Sequence, residues 1–191
     1  MLSNPFTRQS DPHLLAVSMT GVKMGDRVAF VGCAHGGRLA AVASKVGLSG
    51  RAMALVSDEQ AARMVRRGAE QLGVLVEIEI ASPTKVPLDA GSIDLAVVDD
   101  TTGLFGGMPP DERSATIREI VRILRPGGRV VLIGATPRSG LAGLLGRTPV
   151  AALFAASGEA KPALSANGFS IVRTLAEREG LVFVEGIKPR A

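Results

Sequence analysis

Residues 27–37, RVAFVGCAHGG, decide the fold. Val28–Val31 is a short apolar run of β-branched and aromatic residues, which predicts a β-strand. Glycines and other small residues follow at once, and the apolar spacing of the next segment, LAAVASKVG, is typical of a helix. This order predicts a strand, a tight turn and the start of a helix. The small residues either let a ligand rest on the turn beside unpaired N–H groups, or only let the helix pack closely on the sheet.

Length and composition indicate a single globular domain. The chain has 191 residues, of which 46% are hydrophobic and 21% are charged. We expect one domain spanning residues 1–191, with the polar residues 1–12 as a loose N-terminal lead-in. Aromatic residues make up only 3%, which argues against single-stranded nucleic acid as a partner, because such binding needs stacking platforms. The net charge of +4 is a mild excess that does not imply nucleic acid either.

The chain carries one cysteine and two histidines. A single cysteine cannot form an internal disulfide, and a Cys/His metal cluster needs more ligands, so we predict neither a disulfide framework nor a metal site. The first residues lack the basic patch and apolar core of a signal peptide. A run of about 18 uninterrupted apolar residues is missing, which disfavours stable insertion into a membrane. We therefore expect a cytoplasmic protein.

Predicted strands and helices alternate along most of the chain. Five alternations are typical of a doubly wound, Rossmann-like α/β domain with a mostly parallel sheet. The last two strands are joined by the short link AEREG, so we expect an antiparallel C-terminal hairpin that brings the sheet to seven strands. The predicted strands are Arg27–Val31, Ala52–Val56, Val74–Ile80, Asp94–Val98, Arg129–Ile133, Phe169–Thr174 and Leu181–Val184. The predicted buried face of the helix after the second strand is Ala61, Met64, Val65 and Ala69.

Polar residues stand where the parallel strands end. Right-handed crossovers place these ends on one rim, so the Gly-rich turn, the end of the second strand and Asp99–Asp100 should converge on a ligand site. Asp99 and Asp100 are candidates for a substrate contact, a base or a metal ligand, or they only cap the following loop. His35 either contacts a ligand or is an exposed turn residue. Cys33 is expected to be a buried, inert thiol.

Four segments resemble the class I S-adenosylmethionine-dependent methyltransferases, and in particular the C-methyltransferases of ubiquinone and menaquinone biosynthesis. The segments are GDRVAFVGCAHGG, PTKVPLDAGSIDLAVV, IREIVRILRPGGRVVLIG and NGFSIVRTLAEREGLVFVEGIKP. The resemblance covers most of the chain, from about Val22 to Gly186. It implies a sheet that ends in an antiparallel hairpin, S-adenosylmethionine as cofactor across the strand rim, and a small-molecule acceptor over the loop after the fourth strand.

The resemblance also implies a set of site residues and shows where this chain departs from the family. The implied cofactor contacts are Gly32, Ala34, Gly36, Asp58, Ser82 and Asp99, and the candidate catalytic residues are Asp99, Asp100 and His35. Phe30 and Val56 stand where the family usually has acids, and Ala81–Ser82 carries no acid after the third strand. Asp58 either replaces the lost acid of the second strand or caps the next helix.

These observations leave two functions to separate. The first is S-adenosylmethionine-dependent methyl transfer to a small molecule. The alternative is a catalytically degenerate methyltransferase fold that acts as a binding or scaffolding module. A nicotinamide-dependent oxidoreductase is disfavoured, because Val56 replaces the acid of a dinucleotide site and the hairpin does not belong to that fold. Four roles are open for residues 141–156. The segment packs as the helix after the fifth strand, or it covers the acceptor site, touches a membrane or forms a homodimer contact.

Overall fold

The computed structural model describes residues 12–137 and 149–190. The strands are β1 (Arg27–Val31), β2 (Arg51–Val56), β3 (Glu77–Ile80), β4 (Ile93–Asp99), β5 (Leu124–Ala135), β6 (Ile171–Arg178) and β7 (Leu181–Ile187). The helices are α1 (Leu14–Thr20), α2 (Gly36–Ala43), α3 (Glu59–Leu72), α4 (Pro110–Ile123) and α5 (Ala160–Ala166), with a 3₁₀ turn at Val150–Leu153 before α5.

The described residues form a seven-stranded sheet in the order β3-β2-β1-β4-β5-β7-β6. Neighbouring strands from β3 to β5 run parallel, whereas β7 is antiparallel to both β5 and β6. The predicted Rossmann-like sheet with an antiparallel C-terminal hairpin is therefore confirmed. Hydrophobic clusters cover both faces: Ile117 of α4 and Leu164 of α5 belong to one, and Leu39 of α2 and Val65 of α3 to the other. Strands buried on both faces explain the nearly continuous apolar runs in the sequence.

Several strand boundaries differ from the sequence expectation. The third strand begins at Glu77 instead of Val74, the sixth begins at Ile171 instead of Phe169, and the seventh ends at Ile187 instead of Val184. The segment RPGG, expected as a turn before the fifth strand, lies within β5, where Leu124 pairs with Ile93 before the register shifts. In the hairpin, β6 continues to Arg178, so only Glu179 and Gly180 form the turn. Both turn residues have positive φ, 56° and 76°, as two-residue hairpin turns of matching twist require. The predicted link AEREG is therefore mostly strand.

The buried face of α3 also differs from the prediction, which placed Met64 in the core. The buried residues are Ala62, Val65, Gly68 and Ala69. A Cβ on Gly68 would meet the backbone of Gly36 in α2, and a Cβ on Gly36 would meet that of Met64. Because the two helices cross at these glycines, α3 is turned so that Gly68 faces α2. Met64 is then 39% exposed.

Two expectations fall largely on residues that the structure does not describe. The lead-in at residues 1–12 lies outside the described residues except for Pro12, and so do residues 141–148 of the predicted helix after the fifth strand. In the described remainder of that segment, Val150–Leu153 forms the 3₁₀ turn. Across residues 12–137 and 149–190, the helices are too short or too polar to cross a membrane.

Candidate functional site

The turn between β1 and α2 is bonded to the sheet and lies against the loop after β4. Gly32 has a φ of +76°, a conformation that favours glycine. Its N–H donates to the carbonyl of Leu55 in β2 at 2.8 Å. A Cβ built on Gly32 would lie 2.7 Å from Cδ2 of Leu104, in the loop after β4. Gly32 therefore lets that loop lie directly on the turn.

A cleft of about 280 Å³ opens beside this turn. The turn forms one wall, the start of α3 forms a second, and the loop after β4 forms a third. Its lining includes Gly32, Ala34, Asp58, Gln60, Asp99 and Leu104. The ends of β1, β2 and β4 therefore meet on one rim, as the topology predicts. Small-molecule sites in open parallel sheets form at this rim.

Asp58 serves as the N-cap of α3. Its Oδ1 accepts a hydrogen bond from the Ala61 N–H at 2.8 Å, and its Oδ2 accepts one from the Ser57 hydroxyl at 2.9 Å. These bonds, that from Ala61 first, lower the pKa of Asp58 below its ordinary value. The predicted capping role is thus confirmed. The carboxylate also lines the cleft, and its contact with a cofactor stays a prediction.

Asp99 enters the cleft as one half of an ion pair with Arg38. The Arg38 Nη1 donates to both carboxylate oxygens, at 2.9 and 2.8 Å, and the Thr101 hydroxyl donates to Oδ1 at 2.6 Å. The two charged side chains are only 13% and 11% exposed. The pair fixes the carboxylate in one orientation. Sequence reasoning missed Arg38, although it is the first charged residue after the glycines and lies three positions beyond His35.

The positions of the missing acids have become part of the hydrophobic core. Phe30 and Val56 are 3% and 1% exposed and belong to the cluster packed under α2 and α3. A residual cavity of about 10 Å³ beneath the turn is lined by Phe30, Val97 and Ile133, among others. Buried apolar side chains therefore occupy both positions at which the family usually has an acid.

Asp100 points away from the cleft into the loop that follows it. Its side chain is fully buried, and Oδ1 accepts a hydrogen bond from the Phe105 N–H at 2.6 Å. Within residues 12–137 and 149–190, Oδ2 has no hydrogen-bond partner. Burial raises the pKa of Asp100 to about 7 against hydrogen bonds from the N–H groups of Phe105 and Gly106, with Asp99 adding to the rise and Arg113 opposing it. In this structure Asp100 caps the loop that follows β4, which is the role that the sequence predicts as the alternative to a ligand contact.

His35 is the N-cap of α2, since its Nδ1 accepts from the Arg38 N–H at 3.3 Å. Its ring lies edge-on to that of His13, with centroids 4.9 Å apart. Cys33, also in the turn, has its pKa raised to about 11, first by burial and then by Asp99. A thiol with so high a pKa is a poor nucleophile, which agrees with the expected inert role. The expected burial is wrong in part, because Cys33 is only half-buried and lines the cleft.

The other predicted contacts separate into those at the cleft and those away from it. Gly32 and Ala34 line the cleft, whereas Gly36 packs against the backbone of α3. The Ser82 hydroxyl, on the loop after β3, lies 2.8 Å from that of Thr84 and is not part of the cleft lining. Within the part of the chain that the structure describes, no group of three His, Cys, Asp or Glu side chains is arranged to hold a metal ion.

This sheet order, with a ligand cleft at the first strand–helix turn, defines a class I methyltransferase fold. A family model described as a methyltransferase domain matches residues 28–128. That range is more than half of the chain, so the chain belongs to this family of class I S-adenosylmethionine-dependent methyltransferases. A methyltransferase of Aquifex aeolicus described as S-adenosylmethionine-dependent has a similar structure, with a TM-score of 0.70 and 18% identity over 92% of this chain and 89% of that one.

Two curated relatives are similar in sequence. An uncharacterised 37.1 kDa protein in transposon TN4556 of Streptomyces fradiae is 32% identical over 56% of this chain and 30% of its own length. A probable cobalt-precorrin-6B C(15)-methyltransferase (decarboxylating) of Saccharolobus solfataricus is 29% identical over 67% of this chain and 61% of its own length. The chain thus spans less than two thirds of either relative.

Proposed function

We propose that this protein binds S-adenosylmethionine in the cleft above Gly32 and transfers its methyl group to a small-molecule acceptor. The observation that carries the proposal is the cleft of about 280 Å³ formed by the Gly-rich turn and the ends of β2 and β4 in a chain of this family. A bound cofactor supplies a methyl group on an activated sulfonium. The protein's task is to hold this group in line with the acceptor, which can supply much of the rate acceleration.

The residues of the cleft fit such a cofactor in part. Gly32 and Ala34 line the cleft without bulky side chains, and the cleft wall offers the carboxylates of Asp58 and Asp99 and the carboxamide of Gln60. Hydrogen bonds to a carboxylate contribute about 1.5–3 kcal/mol each. Since Phe30 and Val56 contribute none, we propose binding that is weaker than a site with the full set of acids would give. Arg38 holds Asp99 in place, so that the carboxylate is oriented before the cofactor binds.

The acceptor is a separate proposal. We propose that it lies on the side of the cleft formed by the loop after β4. Substrate choice depends on loops and is not given by the fold, and the Saccharolobus relative, described as a probable cobalt-precorrin-6B C(15)-methyltransferase, suggests a cobalt-precorrin as one acceptor to test. Asp99, Asp100 and His35 remain the candidate catalytic residues. Of these three, Asp99 lines the cleft and is held in place by its ion pair with Arg38.

Two further expectations stay proposals. We propose that residues 1–191 form a single methyltransferase-like domain, which is supported by the arrangement of all described strands in one sheet. The cytoplasmic location expected from the cysteine content stays a prediction. So does the homodimer contact expected at residues 141–156.

The test is isothermal titration with S-adenosylmethionine and with S-adenosylhomocysteine, beside NAD as a control for a dinucleotide site. We expect heat of binding with the first two and none with NAD. Ala34→Phe fills the cleft and should abolish binding, whereas Ala90→Phe, at an exposed loop residue, should leave it unchanged. If S-adenosylhomocysteine gives neither heat nor a melting shift in the wild type, the degenerate binding module is the better account of the fold.

A further inference from the structure

The loop after β4, residues Thr101–Met108, lies across the Gly-rich turn. We call it the β4 loop. Leu104, near its middle, lines the cleft and sits so close to Gly32 that a Cβ there would be 2.7 Å from its Cδ2. The backbone face of Gly32 is the surface on which a ligand of the cleft would rest. In this structure the protein's own leucine covers that surface.

Close packing holds the far side of the β4 loop. Gly103 lies against the 3₁₀ turn, where a Cβ would be 2.6 Å from the Cβ of Ala151. The Gly107 N–H donates to the Gly103 carbonyl at 2.9 Å. Arg113 of α4 donates from Nη2 to the carbonyl of Met108 at 3.0 Å. The loop is thus a compact body with defined contacts on its far side.

Asp100 is the side chain that fastens the β4 loop to the end of β4. Its carboxylate accepts a hydrogen bond from the Phe105 N–H at 2.6 Å, and its carbonyl accepts one from the Gly103 N–H at 2.8 Å. The fastening is incomplete, because Oδ2 is buried and lacks a partner in the described parts of the chain. An ionised carboxylate in this position is costly, since burying an unsatisfied charged group carries a large desolvation penalty.

The charged groups around Asp100 do not remove this cost. Asp99 is its neighbour in the chain, but it is already paired with Arg38 and raises the pKa of Asp100. Arg113 of α4 opposes that rise, yet its guanidinium lies 3.6 Å from Glu159, before α5, and 4.5 Å from the ring centre of Phe154. The Arg113 Nε is itself buried without a hydrogen-bond partner among the described residues.

We propose that the β4 loop is a lid on the cleft and that a proton on Asp100 controls it: the neutral carboxyl keeps Leu104 on Gly32, and the carboxylate favours release of the loop. This inference rests on the proposed function for the ligand, but not for the motion. In the closed loop, burial raises the pKa of Asp100 to about 7. In an open loop, water restores an ordinary value near 4. The closed state therefore binds the proton more tightly, so a rise in pH through about 7 favours opening.

The lid has a direct consequence for affinity. A ligand that needs the open state binds with an apparent dissociation constant equal to the intrinsic one divided by the open fraction. We expect S-adenosylhomocysteine to bind about tenfold more tightly at pH 8.5 than at pH 6, provided the loop is mostly closed throughout. A variant that carries a neutral side chain at position 100 should bind weakly at both pH values.

The motion is tested without any ligand, by amide hydrogen exchange of the wild type and of Asp100→Asn between pH 6 and 8.5, corrected for the intrinsic rate. In the wild type, protection of the Phe105 and Gly106 amides should fall about tenfold across this range. In the variant it should stay constant. The amides of Val131 and Leu132, in β5, report on the fold and should not change in either protein. Constant protection in the wild type, or an equal loss in the variant, refutes the lid.

Leu104→Ala tests the covering contact and keeps Asp100 intact. Isothermal titration with S-adenosylhomocysteine should show tighter binding than wild type at pH 6, while the loop amides keep their dependence on pH. Unchanged affinity in a variant whose fold is intact means that Leu104 does not cover the ligand surface, and the lid is then wrong. Absence of binding in every variant contradicts the proposed function instead, because hydrogen exchange decides the motion by itself.

Discussion

An aspartate lies at each end of β4, and the pKa values of the two are shifted in opposite directions. Asp94, at the start of the strand, accepts hydrogen bonds from Arg27 and Arg125. Burial alone would raise its pKa, but these bonds outweigh burial and lower the pKa to about 2. Asp100, just beyond the other end, is fully buried with one oxygen unpaired, and its pKa is raised to about 7.

This difference indicates that the two ends of β4 have different roles. One end stabilises the fold, and the other lies where parallel sheets bind ligands. At the amino end of β4, which we call the lower end, the Asp94 carboxylate bonds to Arg27 of β1 and Arg125 of β5. It thereby links three strands, so its charge contributes to stability. At the carboxyl end of β4, which we call the upper end, Asp100 is held in a buried environment that disfavours the charged carboxylate. Strained or poorly satisfied groups concentrate at functional sites because the rest of the fold holds them there. In parallel sheets ligands bind at the carboxyl ends of the strands, which is the end where Asp100 lies.

The largest expected effect is the loss of pH dependence in Asp100→Asn. A folded-state pKa raised from about 4 to about 7 gives stability that is present below pH 4 and lost as the pH rises through 7. Three units correspond to up to about 4 kcal/mol of unfolding free energy. The wild type should lose this amount between pH 4.5 and 8.5 relative to the variant, as measured by urea denaturation.

The control for this prediction is Asp99→Asn, one residue away. Asp99 is paired with Arg38, so its replacement should destabilise the protein at both pH values. Because Asp99 is only a secondary cause of the raised pKa of Asp100, after burial, most of the slope with pH should remain. An equal slope in wild type and Asp100→Asn would show that Asp100 is ionised in the folded state at all pH values tested. The contrast between the two ends of β4 would then be lost.

The fold followed from the sequence because it depends on patterns that are local. Val28–Val31 and Asp94–Val98 are apolar runs of strand length, and they became β1 and the core of β4. Asp58 caps the start of α3, which is one of the two roles expected for it, and Gly73 ends the helix in a left-handed conformation. Met64 was misplaced because the rotation of α3 depends on contact between Gly36 and Gly68, which is a tertiary property.

The second prediction concerns Arg38→Ala, which leaves the Asp99 carboxylate in the cleft with Thr101 as its remaining side-chain partner. Removal of one partner from a mostly buried ion pair leaves a charge uncompensated. We expect a loss of about 2–3 kcal/mol in unfolding free energy at pH 7, measured by urea denaturation. Arg67→Ala removes an exposed arginine of α3 and serves as the control. Equal stability of the two variants would mean that the Asp99 carboxylate needs no ion-pair partner in its place at the end of β4.

The site could be predicted only in outline, because its key partners are distant in the chain. Asp99 and Asp100 were expected at the rim, but no local pattern shows that one points to Arg38, 61 positions away, and the other into the β4 loop. Alternation along a strand gives opposite directions to neighbouring residues, so a divided role could have been suspected. The burial of Asp100 and the unpaired Oδ2 depend on tertiary packing, which leaves no local pattern in the sequence.

The third prediction is the counterpart at the lower end. Asp94→Asn keeps the shape of the side chain but removes the charge between Arg27 and Arg125. The lowered pKa implies stability that is present above pH 4 and lost as the pH falls through about 2. Allowing for screening by solvent, we expect a loss of about 1–2 kcal/mol at pH 7 and none at pH 2. Denaturation at both pH values measures it, and a loss that persists at pH 2 would indicate a steric cause.

The smallest effect is expected for Glu77→Gln at the edge of the same lower end. Glu77 in β3 accepts two hydrogen bonds from Arg51 in β2, so its bonding resembles that of Asp94. The two side chains are, however, 54% and 55% exposed. Exposed ion pairs gain little because water solvates both partners in the unfolded and the folded state. We expect unfolding curves of wild type and Glu77→Gln to coincide. If Glu77→Gln instead costs as much as Asp94→Asn, hydrogen-bond number rather than burial sets the contribution of a carboxylate, and burial no longer explains the contrast between Asp94 and Asp100.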